Sequence, residues 1–210
     1  MKIAVLGGTG KMGMALAGKL AGANEVIIGS RDPARAREAA KKIRGATGTD
    51  YEGASKEADA VVVAVPASAL GTLAPLAKAL AGKLVISAVN PLRFEGGLAY
   101  PGREEGSAAE ELAKALPRSR VSTAFNNIPA GFLRGGEAAP VDVLVAADSK
   151  EAYEETAGVV KSVPNLRPLY AGPLSQAGVV ESMTALVLNL ASLNKTGSLT
   201  TKFVSRKGWP

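Results

Sequence analysis

Short aliphatic runs alternate with alanine-rich stretches along nearly the whole chain, and this alternation constrains the fold more than any other feature. Ile3-Ala4-Val5-Leu6-Gly7 reads as a buried strand and Lys11 to Gly22 as the helix after it. Glu25 to Gly29 is a second strand. Asp32 then has the character of an N-cap, Pro33 suits the first helical position, and Gly45 is placed to end that helix. Ala60 to Val65 is apolar throughout, as a central parallel strand covered on both faces must be. Lys83 to Ser87, Arg120 to Ala124, Val141 to Ala147 and Leu166 to Ala171 continue the series. Helices are expected from Ser107, which opens a capping box with Glu110, from Lys150 to Val163, and from Ser175 to about Leu193. Asn90 to Gly106, rich in Gly and Pro, reads as a long loop whose Phe94 and Tyr100 suit either a lid or a plain connection. Strands alternating with crossover helices define an α/β chain: a Rossmann-type doubly wound, mainly parallel sheet with a small C-terminal helical extension. Pro164 and Gly172-Pro173 place a division near the last strand. Residues 1–165 are then expected to be the nucleotide-binding domain, and 166–210 a strand–helix segment.

The composition removes whole classes of chemistry. Among 210 residues there is neither Cys nor His. Disulfides, thiolate nucleophiles, Ser-His-Asp hydrolysis and the usual zinc sites go with them. Lys and Arg number 25 against 19 Asp and Glu, a net charge of +6 that suits an anionic partner. Aromatic residues are only 4%, too few for the stacking platforms of single-stranded nucleic-acid binders. The opening apolar run is too short for a signal peptide, and Met183 to Leu193 is too short to span a bilayer. These features lead us to expect a cytoplasmic protein.

Gly8-Thr9-Gly10-Lys11-Met12-Gly13 matches G-x-G-x-x-G, with Gly7 as a further glycine. The motif follows a strand and opens a helix, which is the context a dinucleotide site requires. The first glycine permits the tight turn, the second lets pyrophosphate approach the backbone, and the third lets helix pack on strand. Amides at the helix start then face the phosphates. The end of the second strand selects the nucleotide. An NAD site carries an acid there for the ribose hydroxyl, whereas this chain reads Gly29-Ser30-Arg31. A hydroxyl and a guanidinium suit a 2′-phosphate, and Arg35 lies one helical turn further on. Asp32 is the competing acceptor, though its place before Pro33 suits a cap better. NADP is the expected nucleotide. Val65-Pro66-Ala67 and Val89-Asn90-Pro91 end adjacent strands where such a sheet places its ligand crevice. Asn126-Asn127 also follow a strand, where amides suit either a ring ligand or a turn.

With these segments the chain resembles the coenzyme F420-dependent NADP oxidoreductases. The resemblance runs through Ile128-Pro129-Ala130, Leu166-Arg167-Pro168-Leu169, Ala171-Gly172-Pro173-Leu174-Ser175, Val180-Glu181-Ser182, Leu188-Asn189 and Lys202-Phe203, nearly end to end. It implies hydride transfer between NADP(H) and a deazaflavin coenzyme, F420, stacked on the nicotinamide. It further implies that Thr9, Gly10, Lys11 and Met12 meet the pyrophosphate, and Ser30, Arg31 and Arg35 the 2′-phosphate. Val65, Pro66, Ala67, Asn90 and Ala130 would line the nicotinamide end. Asn126, Ile128, Pro129 and Leu199 would border the deazaflavin. Family members carry His two residues before Ile-Pro-Ala, where this chain has Asn126.

The lack of His is compatible with such a reaction, because stacked rings need alignment and exclusion of water, and the coenzymes carry the chemistry. No nucleophile, acid–base residue or metal site is therefore expected. After Glu181 the chain has no acid but keeps Lys195, Lys202, Arg206 and Lys207, a sign that suits an anionic coenzyme or a solvated end. Expected partners are small-molecule coenzymes, with no nucleic acid and no membrane. A homodimer is expected, since the apolar last helix, with Ala185, Leu186, Leu188, Leu190 and Leu193, suits a partner, although the same residues suit the sheet of their own subunit equally. Two other readings share the fold: an NADP-dependent reductase of a small carbonyl or imine, and a nucleotide-binding module without catalysis.

Overall fold

The computed structural model describes residues 1–135 and 140–208. Its first half runs β1 (Lys2–Leu6), α1 (Lys11–Leu20), β2 (Glu25–Gly29), α2 (Pro33–Ala40), β3 (Thr47–Thr49), α3 (Tyr51–Glu57), β4 (Ala60–Val63) and β5 (Leu84–Ser87). Then follow β6 (Leu92–Glu95), β7 (Leu98–Pro101), α4 (Ala108–Ala115), β8 (Arg120–Thr123), α5 (Ala130–Arg134), β9 (Val141–Ala147), α6 (Lys150–Lys161), β10 (Leu166–Gly172) and α7 (Ala177–Leu193). A 3₁₀ run, Ala67–Lys78, joins β4 to β5. Pro75 lies within it and removes a donor that an α-helix would need.

Eight strands form one sheet in the order β10-β9-β8-β5-β4-β1-β2-β3. The order reverses at β1, which pairs with β2 on one side and β4 on the other, both parallel. All the pairings are parallel except β8 with β9, where Ser122 faces Ala147. The doubly wound sheet is thus as expected.

Its core follows from the period of two along a strand. Ile3, Val5, Val62 and Ile86 join Leu16 and Leu20 of α1 on one face. Ala4, Leu6, Val61 and Val85 join Leu70 and Leu73 of the 3₁₀ run and Leu112 of α4 on the other. Both faces are covered, so no position in β4 is polar.

Several boundaries differ from the sequence reading. The first helix ends at Leu20 rather than Gly22. The second ends at Ala40, and Gly45, at φ +78°, serves a later turn. β4 stops at Val63, which leaves Ala64 and Val65 beyond the strand, in the crevice. The expected loop from Asn90 to Gly106 contains an antiparallel hairpin, β6–β7. Gly96 and Gly97 turn it, both with positive φ, the conformation a two-residue hairpin turn demands.

That hairpin is no free lid. The side-chain amide of Asn189 on α7 exchanges two hydrogen bonds with the backbone of Ala99, at 2.7 and 2.8 Å, like a short extra strand on β7. Phe94 nevertheless remains 71% exposed. The helical stretch Leu174–Leu193 is longer than the segment weighed in the sequence, and by length and composition alone is long and apolar enough to cross a bilayer. One face of α7 packs on β7, α4 and β9, whereas Val179, Leu186, Leu190 and Leu193 stay exposed.

Candidate cofactor and substrate site

A groove of about 730 Å³ opens at the C-terminal ends of β1, β2, β4 and β5. It lies where the strand order reverses, the switch point at which such sheets bind ligands.

The glycines divide their work. Gly7 turns the chain at φ +83°, and a Cβ there would lie 2.6 Å from the Ala64 carbonyl. A Cβ on Gly8 would meet Val5 O at 2.8 Å, and one on Gly13 would meet Gly7 O at 2.3 Å. Gly8 and Gly13 therefore hold α1 against β1 and line no part of the groove. Gly10 is different. Among the described residues, a Cβ on it would meet only Gly7 O within 4 Å, at 3.3 Å, and the residue faces the groove beside Thr9, Lys11 and Met12. The first bond into α1 runs from Met14 N–H to Gly10 O, so the amides of Lys11, Met12 and Gly13 are left for an anion.

Ser30, Arg31 and Arg35 line the groove together where it passes the end of β2. Ser30 is buried, and its Oγ accepts the Asp32 N–H at 3.2 Å, which leaves the hydroxyl hydrogen to donate. Arg31 and Arg35 are exposed, and neither takes part in an ion pair among the described residues. Asp32 caps α2, accepting from Ala34 N at 2.9 Å and Arg35 N at 3.3 Å. That commitment weakens its claim as a ribose acceptor. Tyr51, which sequence reasoning missed, lines the same end of the groove. Burial pushes its hydroxyl pKa up, against the opposing charge of Arg31.

Val65, Pro66, Ala67 and Asn90 line the other end of the groove. There a smaller niche of about 240 Å³ adjoins it and shares Lys11, Met12, Ala88 and Asn90. Asn126, Ile128, Pro129 and Ala130 form one wall of the niche, and Thr184, Val187 and Leu188 of α7 form another. Thr184 and Val187 gave no local signal, and Leu188 entered only through the resemblance, because only packing brings that helix here.

Asn126 lines the niche, yet the residue is only 2% exposed and its side chain is fully engaged. Its Nδ2 donates to Val89 O at 3.1 Å and to Asn90 Oδ1 at 2.9 Å, while its Oδ1 accepts from Thr123 Oγ1 at 2.7 Å. Its backbone carbonyl accepts from Asn90 Nδ2 at 2.9 Å and Thr184 Oγ1 at 2.8 Å. Asn126 thus fixes Asn90 and α7 rather than offering a free amide to a ring. Phe125 before it is fully buried at φ 68°, a left-handed conformation uncommon for a residue with a side chain.

Asn127 is also engaged. Its Nδ2 donates to Asp142 O and Thr201 Oγ1, at 2.6 and 2.8 Å. Leu199 is half-buried beside this segment and lines neither cavity. It is anchored nearby, since Thr200 Oγ1 donates to Asn127 O at 3.1 Å.

One buried acid stands behind the niche. Glu181 on α7 is 3% exposed and accepts the amides of Ala108 and Ala109, which open α4, at 2.9 and 3.1 Å. Burial pushes its pKa up to about 7, although both amides and Arg103 pull the other way.

Sheet order, glycine cradle and switch-point groove define a dinucleotide-binding protein, with a second cavity beside the groove. Known proteins make the class specific. Residues 2–91 match the family model described as NADP oxidoreductase, coenzyme F420-dependent. The F420-dependent NADP reductase of Methanothermobacter thermautotrophicus is 40% identical, covering 93% of this chain and 91% of its own. That of Methanocaldococcus jannaschii is 33% identical over 90% and 92%. A crystal structure from Arthrobacter sp. FB24, provisionally named an F420-dependent NADP-reductase, superposes with a TM-score of 0.85 at 26% identity, covering 98% and 100%. The chain belongs to the coenzyme F420-dependent NADP oxidoreductase family.

Proposed function

We propose that the protein transfers a hydride between NADP(H) and the deazaflavin coenzyme F420. The observation that carries this reading is the continuity of the two cavities, which share Met12, Ala88 and Asn90 where two rings would meet. In this reading the backbone at Thr9, Gly10, Lys11 and Met12 holds the pyrophosphate, with Gly8 and Gly13 keeping the loop in place. Ser30, Arg31 and Arg35 grip the 2′-phosphate through charge-assisted bonds. Val65, Pro66, Ala67, Asn90 and Ala130 seat the nicotinamide. Ile128, Pro129 and the α7 residues border the deazaflavin, Asn126 braces that wall, and Leu199 lies at its margin. The chain's own contribution is alignment and exclusion of water, which supply effective molarity without an acid or base.

The segment 166–210 completes the second-substrate side in this scheme, through α7 and the tail anchored on Asn127. The partners are small-molecule coenzymes, with neither nucleic acid nor membrane, in the cytoplasm. The exposed face of α7 joins two copies as a homodimer, which sedimentation equilibrium tests directly. The function itself is tested by mixing the protein with NADPH and oxidised F420. Loss of the deazaflavin absorbance at the rate NADPH is consumed supports it. A folded protein that binds NADPH and leaves F420 oxidised refutes it.

A further inference from the structure

We infer that the side chain of Lys11 is the cation that receives the negative charge arising on the second substrate during hydride transfer. This assignment rests on the functional reading above and assigns a new role within the same site.

Lys11 lines both the groove and the niche. Among the described residues, every other one lining the niche is uncharged: Met12, Ala88, Asn90, Thr184 and the apolar wall among them. The chain has no His to share the task. Among the described residues Lys11 has no ion pair, and none of their side-chain hydrogen bonds begins at its ammonium, so the charge is unspent. Its position also runs against local stability. Lys11 is the first residue of α1, whose first turn holds no acid, and a cation at a helix N-terminus opposes the macrodipole. The pyrophosphate needs only the backbone here, through the amides freed at the helix start. Lys11 is exposed where groove and niche meet, so its unpaired ammonium is free to turn toward the niche.

The chemistry supplies the demand. As the hydride leaves C4 of the dihydronicotinamide, it forms a C–H bond at C5 of the deazaflavin. The electron pair displaced from the deazaflavin ring comes to rest on its N1–C2=O edge, and water later supplies a proton there. In a niche walled by Ile128, Pro129, Val187 and Leu188, such a charge is poorly solvated, and a cation reaching it from the exposed rim counts for more than in water. The same walls are unsuited to a hydrated phosphate, so the ring rather than the coenzyme's acidic tail is the group served.

The test compares wild type with Lys11→Met and Lys11→Arg. NADPH affinity is measured by fluorescence, and hydride transfer by single-turnover absorbance with F420 and with a phosphate-free deazaflavin nucleoside. The N1 pKa of bound reduced deazaflavin is read from its spectrum without turnover. In Lys11→Met the transfer rate should fall about 10- to 100-fold with both deazaflavins. The N1 pKa should rise by about one unit, the equivalent of a tenfold change. NADPH affinity should stay within about threefold of wild type, as expected if backbone amides hold the phosphates. Lys11→Arg should restore most of the rate and the pKa. A larger loss of NADPH affinity with an unaltered transfer rate at saturation would place the ammonium on the pyrophosphate and overturn the assignment. So would a defect seen with F420 but absent with the phosphate-free nucleoside, which would place it on the tail. If wild type binds NADPH and reduces neither deazaflavin, the functional reading itself falls, a result distinct from either.

Discussion

Glu181→Gln gives the sharpest test of how α7 is fastened to the rest of the molecule. The wild-type carboxyl lies buried between α7 and the start of α4, with its pKa raised from 4.5 to about 7 chiefly by loss of solvent. Arg103 and the two amides favour the ionised form and Glu110 opposes it, yet burial prevails. Between pH 4.5 and 7 the native chain thus keeps a proton that the unfolded chain has released. Stability must then fall as pH rises. The contribution is complete below pH 4.5 and is lost as pH rises through about 7. A rise from 4.5 to about 7 corresponds to roughly 3 kcal/mol, at 1.36 kcal/mol per unit. Glutamine cannot titrate. It keeps one oxygen for one of the amides, so it costs a pH-independent amount of about 1–3 kcal/mol for the bond it fails to make. Urea unfolding from pH 4 to 9 at constant ionic strength separates the two effects. Background titrations cancel in the difference between the proteins. Wild type should lose roughly 3 kcal/mol relative to Glu181→Gln across the window. A flat difference, or one in which wild type gains stability as pH rises, would refute the reasoning. It would show that the start of α4 holds the carboxylate charged despite burial. Because α7 carries Thr184, Val187 and Leu188 into the niche, the same change should loosen deazaflavin binding more than NADPH binding.

Two glycines of one motif should fail differently. Gly13→Ala drives a Cβ to within 2.3 Å of Gly7 O and 2.7 Å of Gly8 Cα, both backbone, so thermal melts should show destabilisation of about 1–3 kcal/mol. Gly10→Val should melt near wild type yet lose NADPH binding in calorimetry, because its side chain occupies the groove rather than the helix–strand contact. At the opposite end, Arg31→Ala should weaken NADPH by roughly 1.5–3 kcal/mol and leave NADH nearly unchanged. Equal affinity of wild type for both nucleotides would remove the 2′-phosphate assignment.

The chain carries its nucleotide half in plain view. Strand, glycine loop and helix are contiguous, and each glycine answers to an atom at most a few residues or one strand away. Ser30 and Arg31 follow β2 directly, so their meeting with Arg35 required only a strand end and the cap at Asp32. The hairpin was legible as well, in Gly96-Gly97, but its flanking prolines favoured a loop reading. What the sequence could not supply was the second wall. Asn90 finds Asn126 across 36 residues and Thr184 reaches the same carbonyl across 58, contacts set by strand order and by how α7 lands. Asn126 and Asn127 read as either ring partners or turn residues because an amide's partners leave no local pattern, and in the folded chain both are committed inward. Glu181 looked like part of a motif, and only packing revealed it as a buried acid holding two amides. Local geometry is encoded by neighbours in the chain, whereas a side chain's solvent and partners are decided by which distant surfaces exclude water together.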